Sequence, residues 1–142
     1  MIIAIDFDGT IVNDEYPKIG KEKPFATQTL RMLIEDGHRL VLWTVRHDSD
    51  LDAAVQWCHE RGVDFYAVNK DYPEETIDGN EYFSRKIKAD IFIDDRNIGG
   101  LPDWGTIYRI IKERKTIEQI IDERMRGSSD EGPKTKKRWW QI

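Results

Sequence analysis

Apolar and polar positions along this chain repeat with two different periods, and the switches between them mark out its elements. Ile2-Ile3-Ala4-Ile5 is an unbroken apolar run that passes into Asp6-Phe7-Asp8-Gly9-Thr10. A short run of this kind reads as a strand buried on both faces, as in a parallel sheet. Asn13–Lys23 is polar, contains Pro17 and Gly20, and predicts a loop. Ala26, Leu30, Leu33 and Ile34 then fall at helical spacing up to Gly37, so a helix starting at Pro24 is expected. Leu40–Trp43 predicts a second buried strand. Asp48–Arg61, with Leu51, Ala54, Val55 and Cys58 on one face, predicts a helix stopped by Gly62, and Val63–Val68 a third strand. Asn69–Asn80 is irregular. Ile91-Phe92-Ile93 predicts a fourth strand, which ends in Asp94-Asp95. Thr106–Ile111 fits a strand and a helix start equally well. Ile117, Ile120, Ile121 and Met125 predict a last helix reaching about Arg126.

Strands alternating with helices imply βαβ units and an α/β fold. The expected architecture is a three-layer α/β/α, Rossmann-like domain over residues 1–126 with a central parallel sheet. A basic tail with two tryptophans follows over residues 127–142, broken from the core by the low-complexity stretch Gly127–Pro133. In that tail Lys134, Lys136, Lys137 and Arg138 outnumber Asp130 and Glu131. The tail therefore offers nucleic-acid stacking, docking on a neighbouring subunit, or simple disorder.

Composition narrows the class. A length of 142 residues with 39% hydrophobic and 35% charged positions describes one soluble globular domain. The net charge of −5 disfavours nucleic acid and anionic membranes as partners of the bulk surface. No apolar stretch approaches the roughly 18 residues that a membrane span needs, and the start of the chain does not resemble a signal peptide. Cys58 stands alone and predicts a buried structural thiol in a reducing compartment, with the cytoplasm the expected location. Trp43, Trp57 and Phe65 read as core.

The predicted strands end in matching chemistry. Asp6 and Asp8 close the first, Thr44 the second, and Asp94 and Asp95 the fourth, with Lys86 and Lys88 just upstream. The carboxyl ends of a parallel sheet share one edge, where open α/β sheets bind ligands. Clustered carboxylates favour a hard cation such as Mg²⁺, and a cation with a lysine and a hydroxyl is suited to phosphate oxygens.

These residues resemble, in order, the motifs of the haloacid-dehalogenase superfamily of phosphohydrolases. Asp6-Phe7-Asp8-Gly9-Thr10 resembles the first motif, Thr44 the second, and a lysine ahead of Asp94-Asp95 the third and fourth. The resemblance implies a Mg²⁺-dependent phosphomonoester hydrolase. Asp6 would be the nucleophile that forms an aspartyl-phosphate, Asp8 the general acid and base, and Thr44 a phosphoryl hydrogen-bond donor. Asp6, Asp8 (through its carbonyl), Asp94 and Asp95 would hold the metal. Lys86 fits the family's Lys-x-x-Ala-Asp spacing better than Lys88. Gly9, Thr10, Arg46 and Lys88 are weaker substrate-binding candidates, and Arg96 is a candidate partner of the neighbouring acids. The loops after the first and third strands are too short for a folded cap, which resembles the capless subclass. Such members take bulky substrates or use a neighbouring subunit as a lid, so a phosphorylated small molecule or macromolecule and a homo-oligomer are the expected partners. The alternative is a phospho-accepting or phosphate-binding regulatory domain without turnover.

Overall fold

The structure is a computed structural model, described here for residues 1–76 and 84–130. It is an α/β fold with a Rossmann-like layout and a four-stranded parallel sheet of order β3-β2-β1-β4. The chain divides into two compact units, Met1–Trp104 and the part from Gly105 onward. The first holds the whole sheet, with β1 (Ile2–Ile5), α1 (Ala26–Glu35), β2 (Arg39–Leu42), α2 (Asp48–Glu60), β3 (Ala67–Val68) and β4 (Ile91–Ile93).

Central β1 and β2 bury consecutive residues, with Ile3, Ala4 and Ile5 facing Leu40, Val41 and Leu42 in register. Their uninterrupted apolar runs are the direct record of that two-sided burial. From β1 the chain moves outward to β2 and β3, then returns to place β4 on the other side of β1. The strand order therefore reverses between β1 and β4, and the crevice outside such a reversal is where open sheets bind ligands.

Several boundaries differ from expectation, two of them by more than one residue for a visible physical reason. Helix α1 starts at Ala26, not at Pro24, because Phe25 before it takes a left-handed backbone (φ 64°) that no helix can continue through. Strand β3 keeps only two residues of the expected six. Val63 is unavailable to it because its N–H caps α2 at the Cys58 carbonyl (2.9 Å), beside the left-handed Gly62. The ladder resumes at Tyr66, whose N–H donates to the Leu40 carbonyl at 2.8 Å.

The ambiguous Thr106–Ile111 stretch is helical, within α3 (Trp104–Glu113), and α4 (Ile117–Asp130) follows. Left-handed Arg114 (φ 52°) separates the two. Within the second unit Glu123 accepts from Arg109 at 3.0 Å and from Lys115 at 2.6 Å, tying α4 to the end of α3. These pairs are solvent-exposed and contribute little. Helix α4 runs through Gly127, so the expected break starts later than the composition suggested. The basic stretch Lys134–Ile142 lies outside the described residues. Among those described, no helix is long and apolar enough to cross a membrane.

Candidate functional site at the sheet switch point

Register brings the acids together. Ile5 faces Ile93, and the Asp6 N–H donates to the Ile93 carbonyl at 3.0 Å, so Asp6 and Asp94 leave adjacent strands side by side. One carboxylate oxygen each from Asp6, Asp94 and Asp95 lies within 4.8 Å of the others. Burial, a hydrogen bond with Asp95 and the charge of Asp94 push Asp6 up to about 7 from its ordinary 3.8. The causes rank in that order, with burial first and the two neighbouring acids adding to it.

The segment after β1 is one tight turn. The buried Phe7 carbonyl accepts from the N–H groups of Thr10, Ile11 and Val12 at 3.2, 3.0 and 3.3 Å. Fully buried Thr10 thereby sits beneath the acids, its hydroxyl 3.1 Å from Asp6 Oδ2 and 3.0 Å from Asp95 Oδ1. The hydroxyl has a single proton to offer those two oxygens, and its own oxygen accepts the Asp95 N–H at 3.0 Å. Gly9 is left-handed (φ 84°), and a Cβ there would overlap the Asp95 carboxylate. Gly9→Ala is therefore expected to cost about 1–3 kcal/mol by chemical denaturation, from backbone strain and displacement of Asp95.

The chain continues as a short antiparallel arm, in which Asn13 donates to the Lys21 carbonyl and Lys23 to that of Ile11, each at 2.8 Å. The arm carries Asp14 and Tyr16 to the rim of a cavity of about 440 Å³. Asp6, Asp8, Trp43, Thr44, Val45, Asp94 and Arg96 complete its lining.

Arg46 holds this wall together. It is 2% exposed, and all five guanidinium N–H groups have acceptors. Nε and Nη2 each lie 2.7 Å from an Asp8 oxygen, in a fork. The remaining N–H groups donate to the carbonyls of Pro17 (3.1 Å), Lys18 (2.9 Å) and Asp50 (3.3 Å). The guanidinium also stacks near the rings of Phe7 and Tyr16.

Of the expected residues, Asp6, Asp8, Thr44 and Asp94 line the cavity, and Asp95 joins Asp6 and Asp94 beneath it. Thr44 is fixed by its N–H donating to Asn69 Oδ1 at 2.8 Å, and its hydroxyl accepts the Arg46 N–H at 3.1 Å. The Asp8 side chain stands apart from the three clustered acids because both of its oxygens are engaged by Arg46.

Besides Asp95, five expected residues do not line the cavity. Arg46 is spent internally, and Thr10 and Gly9 support the acids from below. Lys86 rests over the Phe92 ring, its Nζ 5.4 Å from the centroid, while the Lys88 backbone N–H donates to Asp71. Both lysines are exposed, and neither is part of the cavity lining.

Arg96, expected to pair with the acids, instead lines the cavity as its cation, with only its N–H bonded to Asp94 (2.9 Å). Its position just past Asp94-Asp95 was the available signal. Asp14 and Tyr16 gave none, because only the folded arm delivers them. Trp43, read as core, packs on the Val41–Ala67–Ile87 cluster and also faces the cavity. Cys58 is fully buried and burial pushes its thiol up to about 12, as a structural thiol requires.

No family model and no curated protein matches the chain. A solved structure, described as that of a conserved protein coded by a locus of Bacteroides thetaiotaomicron, is similar to it. The two chains are 60% identical over 84% of this chain and 96% of that one, with a TM-score of 0.80. At that identity and coverage, this chain belongs to the same family as the conserved Bacteroides thetaiotaomicron protein.

Proposed function

We propose that the chain is a Mg²⁺-dependent phosphomonoester hydrolase of the haloacid-dehalogenase type, working through an aspartyl-phosphate on Asp6. The observation that carries this reading is the convergence of Asp6, Asp94 and Asp95 within 4.8 Å at the β1/β4 reversal, beside an open cavity. Three carboxylates from one edge form an all-oxygen donor set that suits a hard divalent cation. Beyond its burial, the neighbouring Asp95 and Asp94 raise the pKa of Asp6, an effect that a bound cation would offset. Mg²⁺ held there would neutralise phosphoryl oxygens and keep Asp6 ionised.

Asp6 would attack phosphorus while the bond to the leaving oxygen breaks. Thr44 and Arg96, both on the cavity wall, would hold the phosphoryl group. Asp8 would give the leaving oxygen its proton and later take one from water. Both Asp8 oxygens now accept a guanidinium N–H, so this role requires the fork with Arg46 to open on one side.

That fork favours a second reading, a phospho-accepting domain that keeps its phosphoryl group because Asp8 stays clamped. Rapid acid quenching of the protein with Mg²⁺ and an activated phosphomonoester, followed by peptide mass spectrometry, separates the two. Hydrolysis with a transient adduct on Asp6 supports the hydrolase. A stable Asp6 adduct without continued turnover supports the acceptor. An adduct at another residue, or hydrolysis unaffected by chelation and by Asp6→Asn, would exclude both.

A further inference from the structure

We propose that the cavity is shaped for a phosphomonoester whose body carries a planar aromatic ring, gripped by Tyr16 and Trp43, with Arg96 meeting the anionic end. This rests on the phosphate-site reading above and names the substrate class for that site.

The cavity has two unlike parts. Asp6, Asp94, Thr44 and Arg96 supply polar chemistry, while Tyr16, Trp43 and Val45 supply apolar wall. Its volume of about 440 Å³ falls within the range of sites that enclose an organic ligand. A phosphoryl group and one ion would occupy only the acidic end.

The apolar wall is built to stay in place without a ligand. Tyr16 is 47% exposed, yet its ring is backed by the Arg46 guanidinium at 5.2 Å. Its hydroxyl donates to Asp50 Oδ2 at 3.4 Å. Trp43 is anchored from behind by packing on Val41, Ala67 and Ile87. Val45 is 84% exposed beside them, an apolar side chain left in water at the mouth of a polar site. Rings already held from behind lose less entropy on contact than free ones, and a flat partner covers them better than a flexible chain does.

Charge agrees with this division. Among the described residues Arg96 is the cavity-lining cation, and its guanidinium has no ion-pair or hydrogen-bond partner among them. Arg46, the other guanidinium nearby, is committed to Asp8 and the arm. Arg96 is thus the side chain placed to bind a substrate anion.

Phosphonates test this without hydrolysis, because their P–C bond cannot be cleaved by the route proposed above. Calorimetric titration of the full chain with Mg²⁺ should show benzylphosphonate binding about tenfold more tightly than propylphosphonate. Tyr16→Ala should bring the two affinities together, and Trp43→Leu should act in the same direction. Tyr16 is half-exposed, so its variant remains a fair test even where the Trp43 change disturbs the core. Arg96→Ala should weaken both ligands by about tenfold and leave their ratio unchanged.

A nucleoside 5′-phosphonate tells whether the ring lies directly on the ester oxygen or one sugar away. Tighter binding than benzylphosphonate assigns a nucleobase, and weaker binding an aryl ester. Equal affinity for benzyl and propyl ligands, or a preference surviving both ring variants, would overturn the proposal. Selective binding without hydrolysis of any phosphomonoester would keep this inference and remove the hydrolase reading alone.

Discussion

Arg46→Met should be the most destabilising single change in the sheet-bearing unit, lowering the unfolding free energy by about 3–5 kcal/mol. The reason lies in what the side chain leaves behind. Arg46 and Asp8 have side chains 0% and 11% exposed, so their fork at 2.7 Å is largely removed from water. Methionine would fill much of the volume but would strand the Asp8 carboxylate and the Pro17, Lys18 and Asp50 carbonyls.

Removing one partner of a buried pair costs more than removing both, since the survivor is desolvated without compensation. Adding Asp8→Ala to Arg46→Met should therefore cost much less than Asp8→Ala does alone. Arg46→Lys should recover little stability, because one ammonium has three donors and no fork for the five acceptors. Urea unfolding of wild type and the four variants provides the check. Additive losses from Arg46→Met and Asp8→Ala would show that the fork contributes nothing as a unit.

The second large effect concerns Asp6→Asn, which should act in opposite directions on activity and stability. Under the proposed mechanism it removes the nucleophile, and Mg²⁺-dependent turnover should fall to background. In metal-free buffer it should raise Tm at pH 8 by a few degrees.

The sign follows from linkage. Asp6 titrates near 7 in the folded protein and near 3.8 when unfolded, so the folded state binds more protons between those values. Metal-free stability then falls as pH rises from about 4 through 7, and the amide, which never ionises, escapes that loss. Mg²⁺ should reverse the order by stabilising wild type and leaving Asp6→Asn nearly unmoved. Calorimetric scans at pH 5 and 8, with and without Mg²⁺, read all four corners. A wild-type Tm higher than that of the variant in metal-free buffer at pH 8 would show that the acids are compensated without a cation.

Much of this molecule was legible along the chain because local pattern and tertiary burial agree there. Strand β4 falls on Ile91–Ile93 as the apolar run implies, and Gly37 and Gly62 end their helices with left-handed backbones, as glycine readily does. The α/β class follows from the same alternation. Departures occur where a backbone group serves a non-local or competing purpose, as when Val63 caps α2 instead of entering β3.

For the site, the sequence determined the acids and the edge on which they meet. Asp6, Asp94 and Asp95 follow apolar strands, and a parallel sheet places the carboxyl ends of its strands together. Only the tertiary structure decided how the charges pair. Two arginines lie near the motifs, each a few residues past a strand, and position alone offered Arg46 to substrate and Arg96 to the neighbouring acids. Folding distinguishes them by what lies within reach. Arg46 meets five acceptors supplied by Asp8, the arm and α2, whereas Arg96 is left on the cavity wall. Those acceptors come from segments brought together by the fold, so no local pattern could have assigned the two guanidinium groups their different places.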